Sequence, residues 1–470
     1  MTTATGSSIA SSSDTCPNNA RHEWFPAALL VAFATFRLIA SLGNRIVVQP
    51  DTASFFDFRI WGGLRFPVVA SMYSIVGNHR AIVSLQAVIG VVCWSAAALI
   101  AGSLLERRVV RYAFEAGLLA LGLTWQVANW DSVLMSESIS ISLTVVFSAL
   151  ALRFVCRPTS RTGIAVFVVG ALWGMTRQNN AAMLALAACL IALVGLRRDA
   201  RRVALWVAGG FLVVATFGMA LASSTPFIQR YNTAEIYVRR VVSDADRRPW
   251  FEAHGMPSNG TSLIAGPGPP APGEPDPASA LMADHRFGPW MRRHGPDVYL
   301  RYLVTNPMYL VVMPFTSDGA LPAVATGVGY GTSRRVLSYN VERVLWPKNG
   351  SEQRSVVLFV VGVGLAAAWF AVRSAARRRS IAGAAGVLIL AAANVAFVTH
   401  SAGWEYERLL MSTSVSVRIA ILWLIATLAD EAISRRSAVR TSIIGNNVGT
   451  EGLAQSRGVP EATPPHGDSS

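Results

Sequence analysis

Asp51 follows Pro50 in Gln49-Pro50-Asp51-Thr52-Ala53-Ser54, just beyond a long apolar run. Proline blocks helix continuation, so a short extended segment presents this carboxylate at a membrane surface, where it could act as general base toward an acceptor hydroxyl. Asp is also a favoured helix cap, and capping a segment that begins at Thr52 is the competing reading. Asp57 reads as a solvated partner of Arg59. In Asn129-Trp130-Asp131-Ser132-Val133-Leu134-Met135-Ser136-Glu137-Ser138, Asp131 fits a helix cap, an end that the helix dipole makes welcoming to acids. Glu137 lies one to two turns into the apolar helix that follows, where capping explains it less well. It could hold a divalent metal, accept sugar hydroxyls or pair with an arginine. Arg177, in the tight turn Gly174-Met175-Thr176-Arg177-Gln178-Asn179-Asn180, suits a bidentate grip on phosphate, or else snorkels to lipid headgroups. In Gly403-Trp404-Glu405-Tyr406-Glu407-Arg408, Glu405 and Arg408 could pair on one helix face. Alternatively Arg408 binds a donor phosphate while Trp404 or Tyr406 stacks on a sugar ring.

These groups need elements to position them, and the composition says which kind. Of 470 residues 52% are hydrophobic and only 14% charged, against roughly 25% charged in soluble domains. Apolar runs long enough for a hydrocarbon core of about 30 Å cover residues 24–43, 81–104, 113–129, 134–155, 162–176, 180–196, 203–222, 355–372, 381–399 and 409–429. The expected fold is an all-α polytopic membrane protein of about ten transmembrane helices, with an eleventh if residues 298–315 also cross. Arg301, Asn306 and Pro307 interrupt that last stretch, which reads better as a helix lying in the membrane interface.

The net charge of +14 does not mark a nucleic-acid groove. Its arginines gather in short loops, at Arg107, Arg108 and Arg111, at Arg153, Arg157 and Arg161, at Arg197 to Arg202, and at Arg373 to Arg379. Such loops face the cytoplasm under the positive-inside rule. The chain then divides into a cytoplasmic tail (1–23), a seven-helix module (24–222) with an external loop at 44–80, an external segment (223–354) with a flexible Pro/Gly loop at 256–280, further spans (355–429) and a disordered cytoplasmic tail (430–470). Asp51, Arg65, Glu137, Arg177, Glu405, Glu407 and Arg408 all fall on the external face. Ionisable groups at the rim of an apolar bundle are expensive to place and functional by default. Cys16, Cys93, Cys156 and Cys189 lie outside the external loops, so no disulfide framework is implied. The first span reads as an uncleaved anchor. No Walker-type loop or zinc-spaced His/Cys cluster is present, and Gly327-Val328-Gly329-Tyr330-Gly331 follows no strand and earns no phosphate role.

Pro50-Asp51 after the first span, Gly63-Leu64-Arg65-Phe66-Pro67 in the first loop, Ser136-Glu137-Ser138, Thr176-Arg177-Gln178 and Glu407-Arg408 together resemble the GT-C superfamily of membrane glycosyltransferases, which includes protein O-mannosyltransferases and the lipid A aminoarabinose transferase. The resemblance covers roughly residues 20–430 and implies a multi-pass enzyme of the cell membrane. It implies sugar transfer from a polyprenyl-phosphate donor to a glycan, lipid or protein acceptor on the external face, with Asp51 matching the family's first-loop catalytic acid. Many members carry an Asp-Glu pair there, whereas Thr52 follows Asp51 here, which puts metal coordination at that point in doubt. Arg65, Arg177 and Arg408 would stabilise the departing phosphate. A transporter or flippase of lipid-linked sugar is the rival reading; it would need polar residues at mid-membrane, where charged groups other than Arg37 are scarce.

Overall fold

The computed structural model describes residues 20–197, 200–258, 276–316, 320–327, 329–331, 333–347, 362–364, 366–369, 375–403 and 405–455. Among them there is no β-strand, only an isolated bridge between Val47 and Val133. Helices long and apolar enough to cross a membrane are six: Trp24–Ser41, His79–Gly102, Glu137–Cys156, Arg201–Ser223, Arg377–Ser401 and Met411–Ser437. The expected count of about ten is therefore not met among the described residues, for three reasons. The run at 162–176 folds as Ser160–Gly174 and that at 180–196 as Gln178–Val194. Their 15 and 17 residues rise only about 22 and 26 Å. The run at 113–129 is broken at Thr124, whose extended backbone separates Arg108–Leu123 from the short turn Trp125–Ala128. Most of 355–372 lies outside the described residues.

The Glu137–Cys156 helix is the axis of the bundle. It is buried on nearly every side, small hydroxyl side chains set among its apolar ones, and it packs against the His79–Gly102, Ser160–Gly174, Ala375–Ser401 and Met411–Gln455 helices. Such all-round burial is what a helix without a polar face requires. The Glu137–Cys156 helix has Glu137 at one end and Arg153 and Arg157 at the other, whereas in the last helix Asp430 and Glu431 share the end that carries Arg435 and Arg436. The 20 residues from Glu137 to Cys156 separate Glu137 from the Arg153–Arg157 end by about 30 Å.

Three boundaries differ from expectation. The last helix continues to Gln455, so residues 430–455 are not a structureless tail. Its Asp430 and Glu431 meet Arg377 at 2.8 and 3.1 Å, and these contacts hold the helix together past the apolar run. The flexible loop ends sooner than 280, because Asp276 caps a helix at Pro277–Ala283 by accepting from Ser279 N. The rest of that loop, 259–275, lies outside the described residues. The 298–315 stretch is two helices, Phe287–Thr305 and Pro307–Val312, bent at Asn306 before a proline that cannot continue the first. It ends in a single 3-10 turn, and Leu300, Val304, Met308, Val311 and Phe315 are exposed along it.

The described residues of 226–303 have an aromatic core of their own, in which Tyr237, Phe251, Phe287 and Tyr302 are buried. The helix Pro226–Ile236 runs into a π-helical turn, Tyr237–Val242, and Tyr237 donates to Gly295 O at 2.8 Å.

Candidate functional site

The first loop is laced to the start of the central helix. Val47 N donates to Ser132 O and Val47 O accepts from Leu134 N, both at 3.0 Å, and Thr52 Oγ1 donates to Leu134 O at 3.0 Å. These bonds fix a 3-10 turn, Pro50–Phe55, directly beside Glu137. Gln49 occupies the cap of that turn, its N–H donating to Thr52 Oγ1 at 2.9 Å. Asp51 is thus not the cap that its position suggested. Its side chain is 45% exposed, and Oδ2 meets Arg65 at 2.8 Å and Arg408 at 3.8 Å. Arg65 is steered by Ser54, whose Oγ accepts from Nε at 2.6 Å, and by the Phe55 ring 4.8 Å beneath it.

Glu137 is the first residue of its helix rather than one or two turns inside it, and it is 1% exposed. Arg177, the cap residue of Gln178–Val194, approaches Glu137 Oε1 at 3.3 Å, and Arg408 approaches the same oxygen at 3.7 Å. Neither approach is a hydrogen bond, and both Glu137 oxygens, Arg177 Nη1 and Arg408 Nε are buried without a partner. Glu405 pairs with Arg408 at 2.5 Å, the i,i+3 contact that the spacing anticipates. The remaining Arg408 donor settles for the Met135 sulfur at 3.8 Å, a weak acceptor. Burial pushes the Arg177 guanidinium down, against the pull of Glu137. At Arg408 burial acts in the same direction, but Glu137, Glu405 and Asp51 outweigh it and its pKa is raised.

The structure therefore brings Asp51, Arg65, Glu137, Arg177, Glu405 and Arg408 into one network. Glu407 sits on the same short helix, Tyr406–Leu409, with its side chain exposed. Trp404 lies outside the described residues. Asp131 does not join: it is fully buried against Arg37 at 2.7 Å, far from any helix-capping role. Among the described residues no three His, Cys, Asp or Glu side chains converge to hold a metal ion. The expectation of a divalent metal at Glu137 has no such donor set behind it; guanidiniums face the carboxylates instead.

Two features escaped the sequence reading. The Gly327–Gly331 segment packs on Asn129, whose Oδ1 accepts from Gly331 N at 2.6 Å. A side chain on Gly331 would strike the Asn129 carbonyl, so only glycine allows this approach. Tyr330 then packs at a tilt against Trp130, with ring centroids 5.3 Å apart, and its hydroxyl is pushed up by burial and by Glu405. Below the network, Ser140, Thr144, Asn179, Asn180, Asn394, Ser412 and Thr413, with the Trp173 indole, hydrogen-bond across five helices. A narrow cleft of about 40 Å³ opens between them, walled by Phe147, Trp173, Met183 and Leu390. Small uncharged side chains do not interrupt an apolar run, which hides such a belt from hydropathy.

No protein-family model matches the chain, and no curated relative matches it. Among solved structures it is similar to the archaeal oligosaccharyltransferase AglB from Archaeoglobus fulgidus, determined with an inhibitory peptide and a dolichol-phosphate. The TM-score is 0.41 at 12% identity, over 85% of this chain and 50% of that one. The chain thus spans half the length of that enzyme.

Proposed function

We propose that this protein is an integral membrane glycosyltransferase that moves a sugar from a polyprenyl-phosphate donor to an acceptor on the external face. One observation carries the reading: two nearly buried guanidiniums, Arg177 and Arg408, each keep an unpartnered N–H beside Glu137, and Arg408 also reaches the half-exposed carboxylate of Asp51 at 3.8 Å. Buried donors without acceptors cost about 1–3 kcal/mol each, a cost that an arriving phosphate removes. A membrane-soluble carrier would lie with its chain in the lipid against the helices and present only its phosphate to the network. The arginine clusters at the far ends of the same helices support an external site. The exposed apolar side chains from Leu300 to Phe315 support an interfacial position for that segment.

In the reaction, Asp51 accepts the proton of the acceptor hydroxyl as its oxygen bonds to the anomeric carbon. The bond from that carbon to the phosphate oxygen breaks, its electron pair leaves with the polyprenyl phosphate, and Arg177, Arg408 and Arg65 hold the charge that develops. Glu137, with two free oxygens, accepts hydroxyls of the sugar ring. The acceptor is a glycan, lipid or protein.

The hydroxyl and amide belt is what favours the rival reading, a transporter or flippase of lipid-linked sugar. Its side chains are largely bonded to each other, as in the polar glue between membrane helices, and this argues for packing over a pathway. Native mass spectrometry of the purified protein should reveal a co-purifying polyprenyl-phosphate sugar. Asp51→Asn should keep that lipid and lose transfer; a variant that still transfers sugar at the parent rate would sink the enzyme reading.

A further inference from the structure

Arg240 lies far from Asp51 in sequence and touches none of the network, yet it grips the turn from which two of its members project. It is 3% exposed. Its guanidinium donates to Thr399 O and to Ala402 O, the latter at 3.1 Å, and lies 5.3 Å over the Tyr406 ring. Thr399 and Ala402 mark the carboxyl end of the Ala375–Ser401 helix, where unsatisfied carbonyls and the helix dipole favour a cation. Among the described contacts its charge is met by these carbonyls and that ring, with no carboxylate bonded to it.

Two independent features show the same turn pressed into place. Gly403 sits so close to Glu235 that a side chain there would collide with the Glu235 backbone. Glu405 is held at φ 60°, a left-handed conformation that a non-glycine residue keeps only where its surroundings enforce it. Both Glu235 and Arg240 come from one stretch, the Pro226–Ile236 helix and its π-helical continuation. Wide π turns recur at functional positions. Tyr237 anchors that stretch in the aromatic core of residues 226–303.

We propose that Arg240 is a positioning residue for Glu405 and Arg408: it transmits the placement of the 226–303 unit to the donor-phosphate site. The inference rests on the reading of Arg408 as a phosphate ligand. Neutralising Arg240 frees the 399–406 turn, lets Glu405 relax from its left-handed backbone and swings Arg408 away from Glu137.

The test uses the full-length protein in detergent-free nanodiscs, with Arg240→Met, Arg408→Gln and the double variant. Hydrogen exchange reads the clamp, and titration with polyprenyl monophosphate reads its consequence. In Arg240→Met, exchange should quicken at 399–410 while 287–305 stays protected, and affinity for the probe should fall on the order of tenfold. The double variant should bind no worse than Arg408→Gln alone, since both act on one contact; a purely structural role would make the losses add. Unchanged exchange at 399–410, or faster exchange with undiminished binding where Arg408→Gln weakens it, overturns the proposal. Undiminished affinity in Arg408→Gln overturns the phosphate-site reading instead, and the clamp is then decided by exchange alone. Should Arg240→Met not fold, Arg240→Lys keeps the charge but lacks the fork that reaches both carbonyls, and takes the same two measurements.

Discussion

Two arginine–carboxylate assemblies lie six residues apart on one segment, and they are built on opposite principles. At Asp131, Arg37 donates from Nε at 2.7 Å and from Nη2 at 3.0 Å, and from Nη1 to Gly122 O. Ser41 and Ser138 donate to the same carboxylate at 2.9 and 2.7 Å. That pair is closed and dry, with side chains 1% and 0% exposed. At Glu137 the arginines stop at 3.3 and 3.7 Å, both carboxylate oxygens go without hydrogen bonds, and Asp51 at the edge reaches solvent. A buried ion pair holds a fold together when every donor is met; one left half-met is a poor scaffold. On this contrast we read Arg37–Asp131 as architecture and propose the Glu137 network as the ligand site.

The largest expected effect therefore belongs to the closed pair. Arg37→Ala strands Asp131 in the bundle and should cost about 3–5 kcal/mol, a large share of the 5–15 kcal/mol that holds a typical domain. Thermal unfolding in nanodiscs should show the loss, whatever substrate is present. A variant of normal stability would erase the distinction between the two assemblies.

Next in size is the chemistry. Asp51→Asn keeps the shape of the half-exposed side chain but removes the base, and should slow transfer by about 10²–10⁴-fold with donor binding and unfolding temperature unchanged. Arg177→Gln comes third. It removes one of the two orphan phosphate donors, and charged hydrogen bonds contribute about 1.5–3 kcal/mol. Donor affinity should weaken by roughly 10–100-fold, read by titration with polyprenyl monophosphate, with little change in stability because Arg177 has no complete bond to lose. A protein that unfolds on losing Arg177 would show the open network to be scaffold after all.

The network was legible in the sequence because charge at the rim of an apolar bundle is costly wherever it occurs. Asp51, Arg65, Glu137, Arg177, Glu405 and Arg408 betray themselves without any knowledge of their partners. What the residues cannot reveal is which partner each has. Asp131 and Glu137 look alike on paper, and only the fold, by bringing Arg37 across 94 positions, closes one and leaves the other open. Arg240 was invisible for the same reason, since its partners are main-chain carbonyls that carry no sequence signature. Helix lengths were misjudged where apolarity outlasts the helix, as at Thr124, because a single extended residue ends a helix without changing hydropathy.

The smallest effect sharpens the comparison from within one loop. Asp57 and Arg59 pair at 3.1 Å, close to the 2.8 Å of Asp51 and Arg65, but their side chains are 65% and 67% exposed. Water and salt screen such a pair, and long side chains lose entropy in holding it, so little net energy remains. Asp57→Asn should leave stability within about 0.5 kcal/mol and transfer unaltered, a few residues from the substitution expected to slow it most. If Asp57→Asn instead slowed transfer as Asp51→Asn does, exposure would not be what separates the two carboxylates. The general base would then have to be sought across the whole first loop.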